Sequence, residues 1–165
     1  MHGGIEVDGD PAVLRLDDQL CFALYATTNA VVRSYRPLLT ALGLTYPQYL
    51  VLMTLWQDDD VPVGHVGRRL DLPHHAVGPV LARLEVAGLV ARHRDPVDRR
   101  TVLVRLTPAG AELERRAAVA QAEVVCRTGL TSEALDDLRD QLHAVRSQLA
   151  GVASAGSTTQ TSGAT

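Results

Sequence analysis

The sequence predicts a mainly α-helical fold with one small β-hairpin wing. Three observations carry that expectation. Apolar residues recur at steps of three, four or seven over most of the 165-residue chain, the spacing of one helix face. Near the middle, two short extended runs flank the turn Asp95-Pro96-Val97-Asp98, which reads as a hairpin. Hydrophobic residues make up 46% and charged residues 21%, ordinary values that exclude wholesale disorder.

The first helical run extends from about Val13 to Leu42. Leu14, Cys21, Leu24, Thr28, Val31, Tyr35, Leu38 and Leu42 share one face. Asp17 and Asp18 suit an early turn, and Arg36-Pro37 predicts a kink or break. Gly43 closes the unit. Pro47 suits the first position of a second helix, capped near Thr45 or Tyr46 and running to about Gln57. Asp58-Asp59-Asp60 reads as a loop.

A short helix is expected at about Val63–Leu70, and a turn at Asp71-Leu72-Pro73. A longer helix follows at about His74–Ala87, with Val77, Val80, Leu81 and Leu84 inward and Gly88 ending it. The hairpin strands are Val90–Arg94 and Thr101–Leu106. Pro108 opens a long helix to about Arg127, Gly129 breaks it, and a last helix covers about Ser132–Ala150. Residues 1–11 read as a flexible arm. Residues 151–165 are Gly, Ala, Ser, Thr, Val and Gln only, and read as a disordered tail.

Charge is uneven. All 16 basic residues are Arg, and the net charge is -3. Residues 61–106 carry eight Arg against four acids, whereas both flanks are net acidic. A basic middle between acidic ends predicts a surface for a large anion, and nucleic acid is the commonest. Short helix, turn, longer helix and Arg-rich hairpin is the order of a winged helix-turn-helix. Its second helix enters the major groove with its N-terminal residues on base edges, here His74 and His75, with Arg83 further along. Arg92, Arg94, Arg99, Arg100 and Arg105 on the hairpin suit phosphates or a narrow minor groove. Asp98 is expected to orient Arg100 rather than meet DNA.

Other classes are weaker. No run of about 18 apolar residues suits a membrane span. The acidic start MHGGIEVDGD is not a secretory leader, so the cytoplasm is the expected location. Cys21 and Cys126 are too few for a disulfide framework and fit no zinc spacing. Four of the six His fall in or near the basic region, without the carboxylate or thiol spacing of a metal site. No cofactor or metal is expected.

The hairpin segment Asp98-Arg99-Arg100-Thr101-Val102-Leu103-Val104-Arg105-Leu106-Thr107-Pro108-Ala109-Gly110 resembles the D-x-R-x-x-x-V-x-L-T-x-x-G signature of MarR-family repressors, and Leu84–Val90 resembles the motif before it. Gln19–Tyr25, Tyr35–Leu39 and Gly43–Tyr49 are similar to the organic-hydroperoxide-sensing subgroup, of OhrR type, in its two-cysteine form. The resemblance covers about Leu14–Ala150. It implies a two-fold homodimer joined by N- and C-terminal helices and bound to a near-palindromic double-stranded operator. The organisation implied is 12–46 for dimerisation and sensing, 47–107 for the DNA-binding domain and 108–150 for dimerisation. It also implies that a thiolate at Cys21 is oxidised by an organic hydroperoxide and DNA is released. Tyr35 and Tyr46 are then its hydrogen-bonding tyrosines, and Cys126 a second thiol able to form an intersubunit disulfide. Hydroxyl side chains common in relatives near His74–Ala76 are missing here, and Gly78-Pro79 weakens that helix.

Spacing adds one independent point. Cys21 and Tyr35 are 14 residues apart. On a straight helix they share a face within about 40° but stand about 21 Å apart. If Tyr35 touches Cys21, it comes from an antiparallel partner helix. Two other functions are weighed: a regulator gated by a small aromatic ligand near Trp56, Tyr46 and Tyr49, and a thiol peroxidase. The second lacks a Cys-x-x-Cys unit and has no use for an Arg-rich wing, so an enzyme is not expected.

Overall fold

The computed structural model describes residues 14–156. Its element order is a 3-10 turn Leu16–Asp18, α1 Leu20–Thr40, α2 Tyr46–Gln57, β1 Val61–Pro62, α3 Val63–Leu70, α4 His74–Val86, β2 Val90–Arg94, β3 Val102–Leu106, α5 Pro108–Arg127 and α6 Ser132–Gly156. The expected arm at 1–11 lies outside the described residues.

The middle of the chain is densely specified. Thr45 and Gln48 form a capping box at the start of α2, and Pro47 sits in its first turn. The α2 helix is buried almost all round, through Tyr49, Val51, Leu52, Thr54 and Leu55. Val66 of α3 and Val77, Leu81 and Leu84 of α4 meet it with no exposed surface. The left-handed Gly88 (φ +70°) ends α4, with Gly88 N–H on the Glu85 carbonyl and Leu89 N–H on the Leu84 carbonyl.

The sheet has three strands rather than the hairpin's two. Val61 and Pro62 pair with Val104 and Leu103, in the order β1-β3-β2. Two residues are too short for a period-2 signal, and Pro62 is tolerated because β1 is an edge.

Of the kink or break expected at Pro37, the break is not present: α1 runs through it to Thr40. Proline removes only one helix bond. Here Thr40 Oγ1 bonds the Arg36 carbonyl (2.8 Å), and buried Tyr35 and Leu39 hold the last turns against the core. At its other end α1 begins at Leu20, so Leu14 is exposed and outside any helix. The expected tail is also corrected in part: α6 continues over 151–156, because adding a turn to an existing helix costs far less than starting one. Residues 157–165 lie outside the described residues.

Residues from Val125 onward form a second compact unit. Within it, Val125, Leu135, Leu138 and Leu142 line an open apolar groove with His143 and Arg146. Among the described residues no helix is long and apolar enough to cross a membrane.

Candidate nucleic-acid interface and thiol site

The wing tip is built by carboxylates acting on backbone. Asp95 Oδ1 accepts from the amides of Val97 (2.8 Å) and Asp98 (3.3 Å). Asp98 Oδ1 accepts from the Arg100 amide (3.0 Å) and Oδ2 from the Thr101 hydroxyl (2.9 Å). Asp98 therefore acts on Arg100, as the sequence reading has it, and does so through the Arg100 backbone amide. Arg94 Nη1 donates to the Arg99 carbonyl (3.0 Å) and braces the tip from β2. Arg99 and Arg100 are exposed at that tip, and their guanidinium groups have no partner among the described residues.

Arg92 is a correction. Its Nε, Nη2 and backbone amide all bond the Glu85 carboxylate of α4, at 3.0, 2.6 and 3.2 Å. Hydrogen bonds from Arg92 hold the Glu85 carboxyl below its ordinary value. Arg92 thus ties the wing to α4 rather than offering a free cation. The one sequence signal for this pair is the opposite charge of Glu85 and Arg92, seven residues apart across the Gly88 turn.

The T-x-x-G end of the hairpin signature proves architectural. Thr107 Oγ1 donates to the Gly88 carbonyl (2.6 Å), and Gly110 N–H donates to Thr107 Oγ1 (3.1 Å). A Cβ on Gly110 would stand 2.0 Å from the Leu89 carbonyl oxygen, so only glycine fits. Trp56 Nε1 bonds the Gly110 carbonyl (3.0 Å), linking α2 to the start of α5.

The three aspartates read as a loop each hold a different element. Asp58 faces His65 Nε2 of α3 (3.7 Å), Asp59 accepts the Leu106 amide of β3 (2.8 Å), and Asp60 faces His93 Nε2 of β2 (3.2 Å). Two of the basic-region histidines are thereby turned inward. His74 and His75 open α4, with no side-chain cap at Pro73, and His75 is exposed. Arg83 is exposed in its last turn. Among the described residues no group of three His, Cys, Asp or Glu could hold a metal.

Cys21 is a free thiol exposed near the start of α1; Phe22 and Leu24 next to it in sequence are half-buried, as is Val31, ten residues further along the helix. Cys126 is free and exposed near the end of α5. Tyr35 and Tyr46 come together, their rings 5.6 Å apart, and a third tyrosine, Tyr49, lies 5.3 Å from Tyr35. Burial is the main cause that raises all three phenols above their ordinary value, so they stand as neutral O–H groups. Since α1 is unbroken, Cys21 and Tyr35 of one chain stand about 21 Å apart along it. The structure does not bring them together within one chain. A cavity of about 200 Å³ is lined by Tyr49, Met53, Trp56 and Ala117, below the about 300 Å³ where ligand sites usually begin. Tyr46 is not on it.

The MarR family matches residues 42–101. A transcriptional regulator of helix-turn-helix type, TtmR of Methylorubrum extorquens, is 43% identical over 81% of this chain and 69% of its own length. The organic hydroperoxide resistance transcriptional regulator of Bacillus subtilis is 38% identical over 76% of this chain and 84% of its own. Among solved structures, reduced AbfR bound to DNA superposes with a TM-score of 0.71 at 31% identity, covering 84% of this chain and 94% of that one.

Proposed function

From the premise that the chain belongs to the MarR family of DNA-binding transcriptional regulators, we propose that it is a homodimeric repressor whose Cys21 senses organic hydroperoxides. The observation that carries the reading is the pairing of an exposed thiol with two neutral phenols it cannot reach in its own chain. An antiparallel α1 from a second copy brings Tyr35 and Tyr46 of the partner subunit to Cys21, where their O–H groups stabilise a thiolate without adding charge. Exposed Leu20 and Tyr25 on α1 and Leu138 and Leu142 on α6 are the apolar surface such a dimer covers.

The chemistry then balances simply. The Cys21 thiolate attacks the distal peroxide oxygen, the O–O bond breaks, and after protonation the products are a sulfenic acid and the alcohol. The thiolate of Cys126 from the other subunit attacks that sulfur and expels hydroxide, leaving an intersubunit disulfide. Helix movement to close the bridge alters the spacing of the two α4 helices and releases DNA. DNA is held by the first turn of α4, with His74 and His75, by Arg83, and by Arg99 and Arg100 at the wing tip. Arg94 and Asp98 keep that tip in shape.

Fluorescence anisotropy of a labelled operator tests the reading. Cumene hydroperoxide should release the wild type and leave Cys21→Ser bound, with hydrogen peroxide weaker than the organic oxidant. Release of Cys21→Ser at the wild-type dose overturns it.

A further inference from the structure

Apolar exposure and positive charge meet at the wing tip. Val97 is 94% exposed, more than any other large apolar side chain among the described residues. Its backbone is nevertheless tied down. Asp95 Oδ1 accepts the Val97 amide (2.8 Å), and Pro96 before it has a fixed φ. The loop is closed by Asp95 N–H on the Thr101 carbonyl (3.0 Å) and by Thr101 N–H on the Asp98 carbonyl (2.9 Å). Arg99 and Arg100 follow within three residues and are exposed. The chain thus holds an apolar side chain out in water, on a fixed backbone, close to two cations.

A single exposed valine needs no explanation on an inert surface. On a wing that meets DNA it has a defined chemistry. The minor groove is about 6 Å wide, enough for the side chains of a loop tip but not for a helix. At A·T pairs its floor offers acceptors and no donor, whereas a G·C pair adds the guanine N2 amine. A valine packed on that floor leaves the amine without an acceptor, and a buried unpaired donor is costly. The loop's two carboxylates, Asp95 and Asp98, accept from its own amides and from the Thr101 hydroxyl. Val97 itself has no acceptor to offer a guanine.

We infer that Val97 is a specificity-determining residue: it enters the minor groove beside each half-site, admits A·T pairs there and rejects G·C. This rests on the proposed contact of the wing tip with DNA and deepens it. Arg99 and Arg100 are drawn to narrow A·T-rich minor grooves by their potential, which is a preference for shape. Val97 adds a preference for the atoms on the floor. Minor-groove proteins that insert apolar side chains use them together with basic ones, the combination found at this tip. Because the loop is tied before binding, seating Val97 costs little further ordering. The wing then reads base pairs of its own, separate from those that α4 reads in the major groove.

The test starts from the duplex that the full-length reduced protein selects out of a random library. The base pairs it protects in the minor groove beside the half-sites are then made A·T, G·C or I·C. Inosine lacks the N2 amine, so I·C keeps the major-groove face of G·C and the minor-groove face of A·T. Wild type should bind the A·T and I·C duplexes alike and the G·C duplex about tenfold more weakly. Val97 is almost wholly exposed, so its variants keep the fold. Val97→Ala makes room for the amine and should cut that preference about threefold or more. Val97→Asn supplies an acceptor and should abolish or invert it. A wild type that binds the G·C and I·C duplexes alike overturns the inference. So does a Val97→Ala preference equal to that of wild type, which assigns the discrimination to the arginines. In either case the wing contact stands, provided that Arg99→Ala with Arg100→Ala weakens binding and lowers the salt slope. Full affinity and an unchanged salt slope in that double variant overturn the wing contact and the inference with it.

Discussion

The segment from α2 to β3 and the terminal helices α1 and α6 obey different rules. In the first, Leu52, Leu55, Val66, Val77, Leu81, Leu84, Val90 and Val104 have 1% exposure or less, except Val90 at 2%. Its turns are tied by a capping box, the left-handed Gly88 and aspartate-to-amide bonds. In α1 only Tyr35 and Leu39 of 21 residues are buried, both near its C-terminal end. Leu20 and Tyr25 stay more than 60% exposed, and Leu138, Leu142 and Leu149 of α6 are exposed too. The middle segment buries most of its apolar side chains within one chain. The terminal helices keep an apolar periodicity that one chain does not satisfy, which is why they are read as the surfaces a second copy completes.

The largest effect should come from Gly110→Ala, in the first turn of α5 where it packs against the middle segment. Its Cβ would meet backbone, which cannot move aside cheaply. Thermal unfolding should show a loss of roughly 3 kcal/mol or more, a fall on the order of 10 °C. Wild-type stability in this variant would mean that the Thr107–Gly110 junction is looser than drawn.

Next comes the terminal half of the contrast. Leu138→Glu with Leu142→Glu places charge in the exposed groove of α6. Sedimentation velocity should show dimer dissociation strengthened about 100-fold, with helical circular dichroism retained, because two buried anchors are lost from an interface. Leu52→Ala should do the reverse, costing about 2–5 kcal/mol of stability while the protein still dimerises. If both changes unfold the chain alike, the two regions are not distinct.

At the wing, Arg99→Ala and Arg100→Ala should each weaken operator binding, and each should lower the salt slope by about 1 where that side chain meets a phosphate. Arg92→Ala should leave the salt slope unchanged, since its guanidinium is engaged by Glu85. Titration of operator affinity against salt separates them.

The smallest effect concerns pH. Arg92 depresses the Glu85 carboxyl in the folded state. The pair therefore contributes stability above the ordinary Glu range, and that contribution fades as pH falls through the depressed value. Glu85→Gln should be slightly less stable than wild type at neutral pH, and the difference should vanish in acid. A constant gap across the range would show that the carboxyl does not report on this pair.

The same division governs what the sequence revealed. The bounds of α3, β2 and α5 follow from glycines, prolines and periodicity, because local backbone preference and burial point the same way there. Pro37 misled, because tertiary packing of Tyr35 and Leu39 outweighed one missing hydrogen bond. The strand Val61–Pro62 exists only by pairing with β3, a contact 41 residues or more along the chain that leaves no local trace. Arg92 and Arg94 read as free cations because sequence shows charge and not its partner. Tyr49 reads in the sequence as a residue near a possible aromatic-ligand cleft, whereas its ring contact with Tyr35, on another helix, leaves no local trace.

The central claim is that the sensing site is shared between two chains, and mixed dimers test it directly. One subunit carries Cys21→Ser with its tyrosines intact, and the other carries Tyr35→Phe with its thiol intact. If the partner's Tyr35 serves Cys21, the one thiol in this dimer has its phenol. It should react with cumene hydroperoxide at the wild-type rate per thiol, whereas the Tyr35→Phe homodimer should be slow. A mixed dimer as slow as that homodimer would place the tyrosine and the thiol in the same chain and contradict the account.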